Sequence, residues 1–306
     1  VQPTRNRATD LGLLALAVIW GVNFSVVKAV LGVLDPMALN ALRFPMAAVV
    51  MAAVVARLPG PPLEAPDRIR LVLLGILGNV VYQMAFILGV DATLAGNASL
   101  LLATSPVWTV LLSTALGHEE ANGLVFVGSA LTLGGMALVV LGGGHAMGLD
   151  RETLRGDALM IGAAVLWAAY TVSSGRYVRK YGAIRVTTWT LWIGTPVLVL
   201  LGIPALVTTP WPAVSAWVWA GVAYAGVLSV GVAYVLWYHG IVRLGSSRTA
   251  LYSNLVPVAA LLTAWVWLGE VPGALQASGA AVILGGISLA RWGHRVRYSP
   301  SPSSLR

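Results

Sequence analysis

The sequence predicts an all-α polytopic membrane protein whose ten transmembrane helices form two inverted five-helix repeats. Three observations carry that prediction: an apolar composition, a one-sided distribution of basic residues, and a repeat at a fixed offset. Hydrophobic residues make up 58% of the chain and charged residues only 10%, with a mean hydropathy of +0.83. A soluble domain covers itself with about 25% charged residues, so most of this surface must face something other than water. The apolar residues also run in blocks long enough for a hydrocarbon core of about 30 Å, which takes about 20 helical residues to cross.

Turn signals divide those blocks into spans at 10–31, 36–57, 69–90, 94–116, 123–142, 157–177, 186–207, 215–240, 247–268 and 273–292. The breaks are Leu34-Asp35-Pro36, Pro59-Gly60-Pro61-Pro62, His118-Glu119-Glu120, Gly142-Gly143-Gly144, Pro210-Trp211-Pro212 and Glu270-Val271-Pro272. The first span is too long for the apolar region of a signal peptide and reads as a transmembrane helix. The expected divisions are a first repeat over 1–142, a periplasmic linker over 143–156 and a second repeat over 157–292. A Ser/Pro-rich, disordered cytoplasmic tail is expected over 293–306.

Charge fixes the orientation. With the N-terminus cytoplasmic, fifteen basic residues face the inner side: Arg5, Arg7, Arg57, Arg68, Arg70, Arg176, Arg179, Lys180, Arg185, Arg243, Arg248, Arg291, Arg295, Arg297 and Arg306. Only Arg151 and Arg155 face the outer side, while Lys28 and Arg43 lie inside spans. Such a bias puts both termini in the cytoplasm. The net charge of +8 is therefore an orientation signal facing anionic lipid and calls for no nucleic-acid partner.

Internal repetition is the third observation. Residues 89–138 align without a gap on 240–289, a constant offset of 151, with thirteen of fifty positions identical. The identities include Gly89/Gly240, Pro106/Pro257, Glu119/Glu270, Gly128/Gly279 and the pair Gly134-Gly135/Gly285-Gly286. Pro45 falls on Pro196 at the same offset, and Asp10 to Trp20 aligns on Asp157 to Trp167. Five spans per half is an odd number, so the second half must be upside down relative to the first. Inverted repeats suit a carrier, because they supply two nearly equivalent conformations open to opposite sides.

Trp20-Gly21, Leu42-Arg43-Phe44, Pro106 with Glu119, and Pro257 with Glu270 resemble the drug/metabolite transporter superfamily, in its EamA-domain branch. The resemblance runs over about 10–292 and recurs in both halves. Within that branch the sequence is similar to bacterial aromatic amino-acid exporters of the YddG type. The resemblance implies a monomeric exporter in the cell inner membrane that moves a small metabolite by alternating access through a central cavity between the repeats. An aromatic or other hydrophobic amino acid is the expected substrate. A drug or other metabolite carrier of the same family is the alternative, and a membrane-embedded enzyme the alternative of a different class. The second half departs from the pattern at Ala168, opposite Gly21, and at Gly194, opposite Arg43, so a site using two symmetric arginines is excluded.

Polar groups inside a bilayer face a cavity or a partner, and helical spacing groups the candidates. Asn79, Tyr82, Gln83 and Phe86 share one face of the third span. Tyr234 and Trp237 do so on the eighth, with Tyr238 beside them. The first span adds Trp20, Asn23 and Phe24, the sixth Trp167 and Tyr170, the fourth Ser99, and the ninth Tyr252. Arg43, in the second span, is placed to attract a carboxylate or, in the bland alternative, to tie helix ends together. The bland reading of the others is interhelical packing, where such groups contribute about 0.6 kcal/mol each. Trp20 and Trp167 fall near mid-membrane, where an interfacial belt does not explain them. Trp189, Trp192, Trp211, Trp217, Trp219, Trp265, Trp267 and Trp292 lie near span ends and read as belt residues.

Pro106 and Pro257 interrupt the fourth and ninth spans, freeing the carbonyls of Leu102 and Ser253, and are the expected hinges. Ala17, Gly21 and Ser25 mark a close helix contact on the first span. Cysteine is absent, and the four histidines show no metal-ligand spacing, so no catalytic residue, metal or cofactor is expected. All eleven acidic residues read as lying in loops or at span ends, which points to gradient-driven transport without obligatory ion coupling.

Overall fold

The computed structural model describes residues 7–58, 60–117, 122–142, 151–244, 249 and 252–298. Among these residues the regular structure is helical, with no strand. The long rods are α1 (Arg7–Leu31), α2 (Pro36–Val55), α3 (Ala65–Ala92), α4 (Ala95–Ala115), α5 (Gly123–Gly142), α6 (Arg151–Tyr181), α7 (Ala183–Thr208) and α8 (Ala216–Leu244). All eight are long and apolar enough to cross a membrane. They are followed by α9 (Leu255–Leu268) and α10 (Ala274–Tyr298).

Among the described residues the last two helices carry shorter apolar runs than the other eight. α9 starts only after a turn at Ser253–Asn254, and most of the segment before that turn lies outside the described residues. The apolar part of α10 is Ala274–Ala290, beyond which the arginines at 291, 295 and 297 begin. The helix itself continues to Tyr298, into the stretch expected as a disordered tail, and 299–306 lies outside the described residues. Likewise α6 starts at Arg151, inside the expected linker. Of that linker, 143–150 lies outside the described residues, as do Glu119 and Glu120.

Local chemistry sets the helix ends. Asp35 caps α2 by accepting from the Met37 N–H at 2.7 Å, with Pro36 in the first turn. Gly117 (φ 69°) and Gly269 (φ 71°) follow α4 and α9 in the left-handed conformation that closes a helix. Glu270 reaches across to the N-terminus of α4, where its two oxygens accept from the Ala95 and Gly96 N–H groups at 3.0 and 3.1 Å. At the other end of the molecule, Asp67 ties the start of α3 to the end of α6 through Lys180 (2.8 Å) and the Tyr181 hydroxyl (2.7 Å).

Glycines decide which helices touch. α5 and α10 run antiparallel in the most extensive helix contact among the described residues: Gly128 lies against Gly286, and Gly135 against Gly279. A methyl group added at Gly135 would come within 2.8 Å of the Ile283 backbone nitrogen and 2.9 Å of the Gly279 oxygen. The neighbouring Gly134 and Gly285 face open space. α2 and α7 are antiparallel too, with Gly202 against Ala41 and the Trp192 indole bonded to the Ala48 carbonyl. α1 crosses α9 where Gly21 meets Val256, Ala259 and Ala260, and Ser25 donates to Thr263 at 3.1 Å. The small-residue stripe of α1 is thus a helix contact, as its spacing indicates.

Gly134→Ala adds helix propensity in open space and should raise stability by up to about 1 kcal/mol. Gly135→Ala forces α5 off α10 and should lower it by about 1–3 kcal/mol. Thermal unfolding of the two variants in detergent should therefore shift in opposite directions; equal shifts would contradict this contact.

Candidate functional site

Where helices α3 and α8 pass the middle of the molecule, both widen into π-helical turns, at Leu77–Val81 and Tyr224–Val232. A π turn leaves carbonyls without their regular helical partner and is common at functional sites. The α8 turn presents the Ser229 carbonyl, which accepts from the Trp20 indole at 2.9 Å. In the α3 turn Gly78 packs face-on against the Tyr170 ring, and a methyl there would lie 2.4 Å from it.

Around these turns the aromatic residues assemble in two groups. One is a continuous chain: Phe24 to Phe86 (5.8 Å between ring centroids), Phe86 to Tyr82 (6.1 Å), Tyr82 to Trp167 (5.1 Å), and Trp167 to Tyr170 (5.5 Å). Tyr170 is anchored through its hydroxyl to Thr190 at 3.1 Å. The other group is Trp20 against Tyr234 (6.1 Å) and Trp237 (5.6 Å), extended by Tyr238, whose hydroxyl bonds Thr187.

Arg43 stands beside the first group, 2% exposed. Its guanidinium lies over the rings of Phe44 (5.3 Å) and Phe86 (5.6 Å), an attractive cation–π placement. Its Nε–H donates to Asn40 Oδ1 and one Nη2–H to Gln83 Oε1, both at 3.0 Å. Among the described residues no carboxylate pairs with it. Gly226 of the α8 turn rests on the Arg43 backbone, with only 2.5 Å between an added methyl and the carbonyl oxygen. At the position of the second half that aligns with Arg43, Gly194 has no room for a side chain, because Asn79 presses on it.

The sequence-selected residues thus divide. Tyr82, Gln83, Phe86, Arg43, Trp167 and Tyr170 come together, and Trp20, Tyr234 and Trp237 form the second group. Asn23 is buried, and its Oδ1 has no hydrogen-bond partner. Two residues fall elsewhere. Ser99 is buried in α4 and donates to its own helix at Gly96 O, and Tyr252 bonds Asp10 Oδ1 at 2.7 Å near the start of α1. Asn40 was not selected, although it stands three residues before Arg43, on the same helix face. Asp157 also differs from its expected place at a span end. Because α6 begins early, the carboxyl lies within the helix, 1% exposed, accepting from Thr93 at 2.5 Å through Oδ1.

The two prolines break their helices differently. Pro106 follows a turn at Ala103–Thr104, and the carbonyls of Leu101 and Leu102 accept instead from the hydroxyls of Thr104 and Ser105, both at 2.6 Å. Pro257 follows the Ser253–Asn254 turn, and there the Ser253 carbonyl accepts from the Val256 N–H at 3.1 Å.

The EamA-like transporter family matches residues 7–141 and 154–292, one copy in each half. The chain is 32% identical over 283 residues to a protein of Streptantibioticus cattleyicolor named "Probable terminal-alkyne amino-acid exporter", covering 90% of this chain and 91% of that one. It is 28% identical to a Salmonella typhimurium protein named "Probable amino-acid metabolite efflux pump", covering 94% and 96%. A solved structure superposes over 97% of this chain and 100% of its own with a TM-score of 0.64 at 24% identity, a likeness of fold alone. With both halves matched and relatives aligned nearly end to end, the chain is a multi-pass membrane protein of the EamA-like transporter family.

Proposed function

We propose that this protein exports aromatic or other hydrophobic amino acids by alternating access, through a central site between two inverted five-helix repeats. The aromatic chain Phe24–Phe86–Tyr82–Trp167–Tyr170 next to an unpaired, buried Arg43 is the observation that carries the substrate class. It offers an apolar, π-rich wall to a side chain and a cation to a carboxylate. The relatives named as exporters of amino acids or their metabolites support the same class.

The inverted repeat is supported by how contacts exchange between halves. Gly128 meets the counterpart of Gly135, and Gly135 the counterpart of Gly128, across an antiparallel pair. Gly89 packs on Met160 of α6, while its counterpart Gly240 packs on Leu13 of α1, the residue that aligns with Met160. Contacts that swap in this way are what an in-plane two-fold axis produces. In this proposal ten spans leave both termini on one side, and the basic-residue bias supports the cytoplasmic side of an inner-membrane, monomeric carrier. A reporter active only in the cytoplasm should give signal when fused after Arg306 and none when fused in the Arg151–Arg155 region; the opposite pattern would overturn this orientation.

Pro106 and Pro257 are the hinges of the cycle in this proposal, since the chain breaks just before each. Transport follows the substrate gradient. The enclosed Asp157 is the acidic group that would have to act if a proton were required. Purified protein in sealed proteoliposomes should move phenylalanine or leucine downhill to the same extent with and without an imposed pH or sodium gradient. Uphill accumulation would reject uncoupled transport and direct attention to Asp157. Movement of sugar phosphates or nucleosides with no amino-acid flux would reject the substrate class.

A further inference from the structure

Buried charges in proteins are paired, and buried amides use their hydrogen-bonding groups, because an unmet group in an apolar interior loses its hydration without compensation. Beside Arg43 one buried amide nitrogen departs from this rule. The guanidinium carries five N–H donors, of which two are used, by Asn40 and Gln83. Asn40 is 1% exposed, and its Nδ2 has no hydrogen-bond partner. Its orientation is set by Arg43, whose Nε–H needs the Asn40 oxygen and so turns the amide nitrogen the other way. The buried atom without a partner here is thus a donor, and the guanidinium beside it offers donors only. What is missing is an acceptor, and next to a cation it is an anion.

We propose that Asn40 and Arg43 form a carboxylate-binding site, with the apolar part of the ligand lying against Phe86 and Phe24. Arg43 supplies the charge and a fork of N–H donors suited to two carboxylate oxygens. Asn40 holds the fork through its oxygen and adds a donor of its own. Phe44 and Phe86, under the guanidinium, keep water from competing for it. Gly194, where the first half has Arg43, leaves the second half without a matching cation, so one acid group is bound per molecule. The site rests on the aromatic constellation being the transport site. It goes further in requiring an acid group on the ligand and in assigning a role to Asn40.

The test is thermal stabilisation of the purified protein by 3-phenylpropionate, 2-phenylethylamine and chloride, measured separately from flux. The acid should stabilise the wild type in a saturable manner, and the amine should not. Asn40→Ala should weaken the apparent affinity for the acid at least about tenfold, as expected for loss of a hydrogen bond to a charged group. Arg43→Gln should abolish the response. Equal stabilisation by acid and amine, no response to the acid, or an unchanged response in Asn40→Ala would overturn the site. Chloride alone reproducing the full effect would also overturn it, by placing an inorganic anion there. If the acid binds as described but amino acids are not transported, the carboxylate site stands and the proposed substrate falls.

Discussion

In a hydrocarbon surround, every polar group must find its partner inside the protein. Most of the side chains here are arranged around that constraint. Ser129, Thr132, Thr188, Thr190, Thr195 and Thr263 donate to carbonyls one turn back in their own helices, at 2.7–3.0 Å, and so need nothing from a neighbour. Thr104 and Ser105 cover the carbonyls left free near Pro106, and Trp20 bonds a carbonyl in the α8 π turn. Against that background two buried atoms without partners are informative, Asn23 Oδ1 and Asn40 Nδ2. Asn40 is joined to Arg43, where the aromatic residues converge; Asp157 is bonded to Thr93 where α3 ends.

Close approach is the counterpart of polar satisfaction, because apolar faces gain nothing from hydrophobicity when lipid is the alternative neighbour. Backbones that touch through glycine compensate with dispersion and weak Cα–H···O contacts. Gly128, Gly135, Gly279 and Gly286 bind α5 to α10, and Gly21 seats α1 on α9 just beyond Pro257. The glycine contacts pair residues that align between the two halves, whereas the residues around Arg43 do not repeat. One half contributes Arg43 and Asn40, and the matching place in the other half is the Gly194–Asn79 contact.

Much of this was legible in the sequence, for identifiable reasons. Helical spacing brought Tyr82, Gln83 and Phe86 to one face, and the mid-span positions of Trp20 and Trp167 marked them as interior. Of the tryptophans read as belt residues, Trp192, Trp217, Trp219, Trp265, Trp267 and Trp292 are exposed, whereas Trp189 packs on Tyr181 and Trp211 bonds the Leu206 carbonyl. Spacing did not reveal which glycine of Gly134-Gly135 packs, because that depends on the rotation of α5 against α10. Ser99 and Tyr252 were grouped with the site by polarity alone, and polarity does not say where a partner lies. Asp157 was placed at an edge because the start of α6 was read six residues late, at Asp157 itself instead of Arg151. Asn40 was passed over because a lone asparagine gains meaning only once the donors around it are counted.

The central claim is that two inverted halves open a single site alternately to the two sides of the membrane. The absence of cysteine makes it directly measurable by spin labels on paired introduced cysteines. One pair, Arg179→Cys with Arg243→Cys, reports on the inner ends of α6 and α8; the other, Val33→Cys with Arg151→Cys, on the outer ends of α1 and α6. All four positions are exposed. Distance distributions in lipid should contain two populations in each pair, and added phenylalanine should shift the inner and outer pairs in opposite directions. A single distance in both pairs, unchanged by substrate, would contradict alternating access in this molecule.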